Sequence, residues 1–315
     1  MRTYRLYQID AFTRDRFTGN PAGVVPDATG LSDMQMQEIA REMNVSETAF
    51  IFPTKTDGSD MTVRFFTPAT EVPICGHATI SAHWVRAHEG AASGIYMQNT
   101  GAGILPVEIE RKGGSIRIWM TQRPATFGDP FDEAINNDIR TALGITDFST
   151  IGPVQIVSTG HSKVMVPLTS TATLHGLSPD LAALSRISEQ IGCNGFFTFV
   201  LADRSEDVLA HGRMFAPAIG IPEDPVTGNA CGPLGAYLAR HALIAVEPGK
   251  TTEFTVRQGE AMGRPGLVKV EVHREGETFG IRIAGEAVPV FSTSIELEPL
   301  GRIPAISDVR IADQA

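Results

Sequence analysis

Along the first third of the chain, short runs of alternating apolar and polar residues give way twice to helical spacing. Tyr4 to Phe12 alternates and suits a first strand, and Gly19-Asn20-Pro21 turns the chain into a second, Ala22 to Val25. Leu31-Ser32-Asp33-Met34-Gln35 has the form of a helix start: Ser32 can accept from the backbone N–H three residues on while Gln35 reaches back. Met36, Ile39, Ala40 and Met43 then share one face, and Asn44-Val45-Ser46-Glu47 leads into a strand from Thr48 to Phe52. Glu47 is therefore expected at a helix-to-strand junction. Thr62 to Phe66 reads as a strand, Thr67 to Pro73 as an irregular loop, and Gly76 to about His88 as a helix. That helix carries little polar surface on any side, which belongs in the middle of a domain. Ile95 to Met120 reads as short strands turned at Gly101 to Gly103 and at Lys112-Gly113-Gly114, and Thr121 to Pro130 as a linker.

The second half repeats the plan. Strands are expected at Val154 to Ser158 and Lys163 to Pro167, followed by a helix capped by Ser178 with Pro179 at its first position. Strands at Phe196 to Ala202 and Gly212 to Phe215 follow, then a loop and a helix from Gly228 to about His241. Four more strands, around Glu253 to Gln258, Leu267 to His273, Gly280 to Ala284 and Val288 to Ser292, exceed what the second half needs. The last, near 286–299, is thus free to cross back to the first. The division read from this pattern is 1–122 and 128–285, with a loosely held tail at 301–315.

The two halves also echo each other residue by residue. Phe66-Thr67-Pro68 through Glu71, Pro73, Gly76 and Ala78 returns as Phe215-Ala216-Pro217 through Glu223, Pro225, Gly228 and Ala230. Thr18-Gly19-Asn20 returns as Thr159-Gly160-His161, Leu31-Ser32 as Leu177-Ser178, and the segment from Ile39 to Glu47 as that from Ile187 to Gly195. Order-preserving matches with a slowly growing offset argue for a duplicated half of about 145 to 150 residues.

Composition narrows the partners. With 42% apolar residues, 20% charged and a net charge of −10, the chain has material for sizeable cores and no basic cluster for nucleic acid or an anionic membrane. No apolar run approaches the roughly 18 residues of a bilayer span. The first ten residues lack the apolar stretch of a signal peptide, and Cys75, Cys193 and Cys231 form no metal-ligand spacing, so a cytoplasmic protein is expected.

In a duplicated scaffold, a function that needs one special group breaks the symmetry. Glu47 faces Gly195, Asp224 faces Val72, and His77 faces Asn229. Each has a bland alternative: a solvated turn carboxylate, an imidazole on a loop carbonyl, an Asx turn. Together, one imidazole and two carboxylates near helix starts suit proton removal and redelivery. The helix N-termini near Gly76 and Gly228 would favour a small carboxylate ligand. Cys75, just before a helix, is a candidate nucleophile or base with a depressed pKa, but its counterpart is Thr227, so a two-thiol racemase lacks its second thiol. Glu71 and Glu223, present in both halves, are expected to be structural acceptors for loop N–H groups, and Cys193 and Cys231 packing residues. No phosphate loop, dinucleotide glycine fingerprint or His-rich metal cluster is present, which favours chemistry without a cofactor or metal.

Four motifs in order carry a family resemblance. They are Asp10-Ala11-Phe12-Thr13 with Gly19-Asn20-Pro21-Ala22-Gly23; Ser46-Glu47-Thr48; Arg64-Phe65-Phe66-Thr67-Pro68 with Cys75-Gly76-His77-Ala78; and Gly212-Arg213-Met214-Phe215-Ala216-Pro217 with Glu223-Asp224-Pro225-Val226-Thr227-Gly228-Asn229. The chain resembles the PhzF family of phenazine-biosynthesis isomerase-like proteins. The resemblance implies an α+β fold like that of diaminopimelate epimerase, with two pseudo-symmetric domains, each a mixed β-barrel around a central helix, usually as a homodimer. It also implies cofactor-independent isomerisation, with Glu47 moving the proton and His77 and Asp224 in the substrate site. Cys75, Gly76, Thr227, Gly228 and Asn229 then border the substrate. Two departures stand out: Asn229-Ala230 where the phenazine enzymes tend to have Ser-Ala, and Cys75 before the Gly-His pair. Cys-Gly-His is similar to the proline racemase and hydroxyproline epimerase group, where threonine in place of the second cysteine goes with dehydration. A thiol-dependent epimerase or dehydratase and a non-catalytic binder therefore stand as alternatives.

Overall fold

In the computed structural model, residues 1–53 and 58–297 are described. The expected tail at 301–315 lies outside the described residues. The first half runs β1 (Arg2–Ala11), β2 (Asn20–Val25), α1 (Asp33–Met43), β3 (Glu47–Phe52), β4 (Met61–Phe66), β5 (Glu71–Val72), α2 (Gly76–His88), β6 (Gly94–Thr100), β7 (Gly103–Lys112) and β8 (Ser115–Thr121). Between the halves lie β9 (Thr126–Pro130) and α3 (Glu133–Leu143). The second half runs β10 (Gln155–Ser158), β11 (Ser162–Pro167), α4 (Thr171–Gly176), α5 (Leu181–Ile191), β12 (Phe196–Leu201), β13 (Ala210–Ala216), β14 (Ile221–Asp224), α6 (Gly228–Arg240), β15 (Thr251–Gln258), β16 (Gly266–Glu275) and β17 (Thr278–Gly285), and β18 (Ala287–Leu297) closes the described chain.

Strand pairing repeats in the same order. β1 and β2 pair antiparallel as β10 and β11 do, β2 and β3 parallel as β11 and β12, and β4 and β6 parallel as β13 and β15. Antiparallel β6–β7–β8 is matched by β15–β16–β17, and β8 pairs with β17 across the junction. Each half then sends a strand across: β9, which follows β8, pairs with β10, and β18, which follows β17, runs along the whole of β1. The segment expected as a linker, Thr121 to Pro130, thus contains a strand. Its Phe127-Gly128-Asp129-Pro130 run lacks the alternation that marks strands, and pairing with β10 supplies the reason it extends.

Three local expectations give way. α5 is capped by Asp180, whose carboxylate accepts from the Ala183 N–H, not by Ser178 two residues earlier. α3 and α4, capped by Asp132 and Ser170, were not expected, and the two loops before the central helices contain the short strands β5 and β14. The α1 start carries the expected reciprocal Ser32 and Gln35 bonds, which satisfy two otherwise orphaned N–H groups.

The largest core wraps α2 and α6. Every residue of α2 from Gly76 to Val85 is buried, and α6 is buried from Ala230 to Leu238. α2 packs on β1, β2, β3, β7, β8 and β18, and α6 on β10, β11, β16 and β17. α1 covers one outer face with its own cluster around Met36, Phe50 and Phe66, while α3, α4 and α5 cover the other around Leu143, Phe196 and Phe215. A Cβ added at Gly76, the first residue of α2, would lie 3.8 Å from the amide of Asn229, the second residue of α6. The two N-termini therefore meet.

Candidate active site

Glu47 opens β3 directly after the α1 C-terminus, where Asn44 takes the left-handed conformation that ends the helix. The parallel ladder with β2 sets Glu47 opposite Ala22 and aims the carboxylate at the start of α2. There Glu47 Oε2 lies 3.1 Å from His77 Nε2, with side chains 13% and 8% exposed. The contact is an ion pair more than an aligned hydrogen bond, since Oε2 is buried without a hydrogen bond of good geometry. His77 also lies 3.0 Å from the Ser46 hydroxyl and, through Nδ1, 3.4 Å from the Cys75 sulfur. Glu47, Cys75 and His77 each bring one donor atom within 4.8 Å of the others. Of the residues singled out in the sequence, Glu47, His77 and Cys75 thus converge within one half.

Asp224 approaches from the second half, at the end of β14. Its carboxylate accepts from the Asn20 amide at 2.8 Å and from the Thr227 hydroxyl, and its backbone carbonyl accepts from Gln258 at 2.7 Å. Asn20 also donates to the Val226 carbonyl at 2.9 Å, so this one amide ties β2 to the opposite half. Neither Cys75 nor Thr227 caps its helix with a side chain, because the Thr227 hydroxyl is spent on Asp224. Both helix starts thus lack a side-chain cap, and helix N-termini of this kind favour an anion. Asn229 accepts from Gln122 at 3.3 Å, joining the residue after β8 to the α6 start.

The electrostatics separate the two carboxylates. Burial works against ionisation of Glu47, but His77, with help from Ser46 and Cys75, outweighs it and holds the pKa below the ordinary value. For Asp224 burial wins over His77 and Thr227, and the nearby Glu47 charge adds to it, so the pKa is raised. Burial opposes charge on His77 too, yet the Cys75 sulfur and Glu47 carboxylate lift its pKa well above the usual value. A pair of carboxylates pushed apart in this way divides into a base and an acid. Cys75 departs from expectation: burial, then the Glu47 charge, push its thiol up to about 11, not down, and the helix start does not reverse this.

Glu71 and Glu223 have stronger partners than loop N–H groups. Glu71 takes a two-pronged bond from Arg64 at 2.7 Å on both prongs, and Glu223 takes the same from Arg213 at 2.8 and 2.9 Å. The two pairs hold the loops before α2 and α6 against β4 and β13. Cys193 and Cys231 are buried packing residues. A second group with metal-ligand potential, His175, His211 and Glu260, lies outside the site, with both His211 nitrogens on glutamates.

Fold and site together define a twice-repeated α+β protein with an acid/base cluster where the two central helix starts meet. Over residues 9–293 the chain matches the family described as phenazine biosynthesis-like protein, and it belongs to that family; it is a PhzF-like isomerase. It is 50% identical over 302 residues to an uncharacterized isomerase of Clostridium acetobutylicum, covering 94% of this chain and 99% of that one. It is 38% identical over 287 residues to trans-2,3-dihydro-3-hydroxyanthranilate isomerase of Pseudomonas chlororaphis, covering 86% and 96%. The crystal structure of a Bacillus anthracis PhzF-family protein superposes with a TM-score of 0.85 at 31% identity, over 94% of this chain and all of that one. A hydroxyproline epimerase from Agrobacterium vitis shares the fold, with a TM-score of 0.62 at 12% identity over 96% and 93%. Among the described residues no helix is long and apolar enough to cross a membrane.

Proposed function

We propose that the protein isomerises a small carboxylate-bearing metabolite without a cofactor, by proton transfer at Glu47 in a cleft between two barrel-like domains. The observation that carries this is the buried Glu47–His77 pair facing a second carboxylate, Asp224, whose pKa moves the other way. Glu47, ionised, takes a proton from a C–H made acidic by conjugation to the substrate's carboxylate or unsaturation. The electron pair moves into the conjugated system, and the protonated Glu47 returns the proton at another carbon, so no net charge or redox change is left behind. His77, cationic beside it, steadies the carboxylate before and after transfer. Asp224, with Thr227 and Asn20, orients a polar substituent, and the N–H groups of the Gly76 and Gly228 helix starts, with Asn229 beside them, receive a substrate oxygen. A homodimer in the cytoplasm, with no nucleic acid or membrane partner, is part of this proposal.

The named activity of the Pseudomonas chlororaphis relative motivates the first substrate to try. The test incubates protein in D₂O with trans-2,3-dihydro-3-hydroxyanthranilate and a panel of small hydroxy, amino and cyclic diene acids. NMR then follows deuterium entry at carbon. Incorporation by the wild type that is lost at least a hundredfold in Glu47→Gln is expected; undiminished incorporation in that variant refutes the role of Glu47. A thiol mechanism draws support from the 3.4 Å approach of Cys75 to His77. It predicts instead that Cys75→Ser abolishes exchange.

A further inference from the structure

Across the repeat, Glu47 corresponds to a glycine, Gly195, and the reason lies one strand away. In the first half Ala22 stands opposite Glu47 on the parallel β2/β3 ladder. In the second half the matching ladder begins with Val164 opposite Phe196, and the Val164 N–H bonds the Gly195 carbonyl at 2.7 Å. Lys163 therefore stands beside Gly195 as Ala22 stands beside Glu47. The small residue and the long charged one have exchanged strands.

Space confirms the exchange. A Cβ at Gly195 would lie 2.7 Å from Lys163 Cδ, 3.1 Å from its Cε and 2.5 Å from the Met214 methyl. The lysine stem lies across the glycine, in the room where a side chain equivalent to Glu47 would begin. Glycine at 195 leaves that room to the Lys163 stem and the Met214 methyl, and a larger residue there would have to displace them.

The charge on Lys163 is uncompensated at close range. Its ammonium donates to the Ser162 carbonyl at 3.0 Å, and among the described residues it forms no ion pair. Burial lowers its pKa, while Cys193 and Asp224 pull the other way, which places Lys163 within electrostatic reach of the same Asp224 that senses His77 and Glu47. Arg123, tied through its N–H to the Thr159 carbonyl at 3.0 Å, also forms no ion pair among the described residues. His161 lies near both, and burial, then Lys163, then Arg123 depress its pKa. Arg123 and His161, with Ile74 and Asn229, border a cavity of about 130 Å³; Lys163, two residues after His161, is not part of its lining. Lys163 and Arg123 are thus two cations without an ion pair among the described residues of a chain of net charge −10, a setting that favours an anionic ligand.

We infer that Lys163 is the carboxylate-reading group of the cleft: its ammonium pairs with the substrate's carboxylate from the second half while Glu47 meets the reacting C–H from the first. Accepted substrates are then free acids, and their amides and esters are rejected. The two halves present opposite charges from neighbouring strands of the repeated ladder, Glu47 on β3 and Lys163 on β11, the counterpart of its neighbour β2, which fixes the direction in which a substrate lies. The inference deepens the proton-transfer reading of the site and rests on it for the reaction, though not for binding.

Anthranilate and anthranilamide are a matched acid and amide, and calorimetry at pH 7 measures both against wild type, Lys163→Met, Lys163→Arg and Glu47→Gln. Anthranilate is expected to bind wild type at least tenfold more tightly than the amide. Lys163→Met should erase that preference, Lys163→Arg should restore part of it, and Glu47→Gln should keep it. Wild type that binds acid and amide alike, or neither, overturns the role of Lys163, as does a Lys163→Met protein that keeps the preference. Should Lys163→Met not fold, Lys163→Gln carries the same comparison. Deuterium exchange separates the two ideas. Exchange lost in Glu47→Gln with binding unaffected by Lys163→Met refutes only the lysine, whereas binding that depends on Lys163 with exchange intact in Glu47→Gln refutes only the proton-transfer role.

Discussion

Replacing Glu47 by Gln removes one charge and almost no volume, so its first consequence should be read at His77. At 3.1 Å, and with both side chains less than a sixth exposed, the pair attracts by about 5 kcal/mol at an effective dielectric of 20. Losing that attraction lowers the His77 pKa. Asp224 still acts on His77 in the variant and water enters the site, so the drop should be clear but smaller than loss of the whole attraction would give. ¹⁵N-histidine spectra against pH measure this directly, with the signal of His77 identified among the eight histidines by its loss in His77→Asn. The stability profile gives an independent reading. His77, raised in the folded state, contributes stability present below its unfolded pKa and lost as pH rises through the folded one. Glu47, lowered in the folded state, contributes stability present above its unfolded pKa and lost as pH falls through the folded one. Both terms are therefore complete between about pH 4.5 and 6.5, and Glu47→Gln should flatten the profile on each side of that window. A His77 that titrates identically in wild type and variant would refute the ion pair.

Two further outcomes follow from burial. At pH 7.5 a Cys75 pKa of about 11 leaves roughly one thiolate in 3,000, so iodoacetamide should label it slowly, and Cys75→Ser should lose less than tenfold in exchange rate. Mass spectrometry of the labelled peptide and the deuterium assay check this; rapid labelling with matching inactivation would return the thiol mechanism to first place. Arg64 and Arg213 make the same two-pronged bond but differ in setting. Arg213 is 8% exposed and also donates to the Leu174 and Leu177 carbonyls, so Arg213→Met should cost about 3–5 kcal/mol by leaving those carbonyls and the 16%-exposed Glu223 without their partner. Arg64 and Glu71 are 27% and 43% exposed, and Arg64→Met should cost about 1 kcal/mol or less. Urea unfolding of the two variants decides the contrast, and equal losses would refute it.

The residues by themselves determined the repeat, the two central helices and the three groups that break its symmetry. Those signals are local: apolar residues on all sides of α2, the Ser32 and Gln35 pair at the α1 start, and the spacing of Glu47, His77 and Asp224 from glycines at helix starts. Tertiary structure decided what depends on neighbours distant in the chain. β9 has no strand pattern of its own and exists because β10 offers an edge, just as β18 completes the sheet at β1, more than 270 residues away. The direction of the Cys75 pKa was equally beyond sequence, since proximity to a helix start is a local fact while burial and the Glu47 charge are sums over the fold. Lys163 is the sharpest case. Its position 141 residues after Ala22 was visible in the repeat, but a lysine facing an alanine carries no meaning until the ladder sets it beside Gly195. Periodicity is written along the chain, whereas charge, burial and the room left by a missing side chain are properties of the space that the chain encloses.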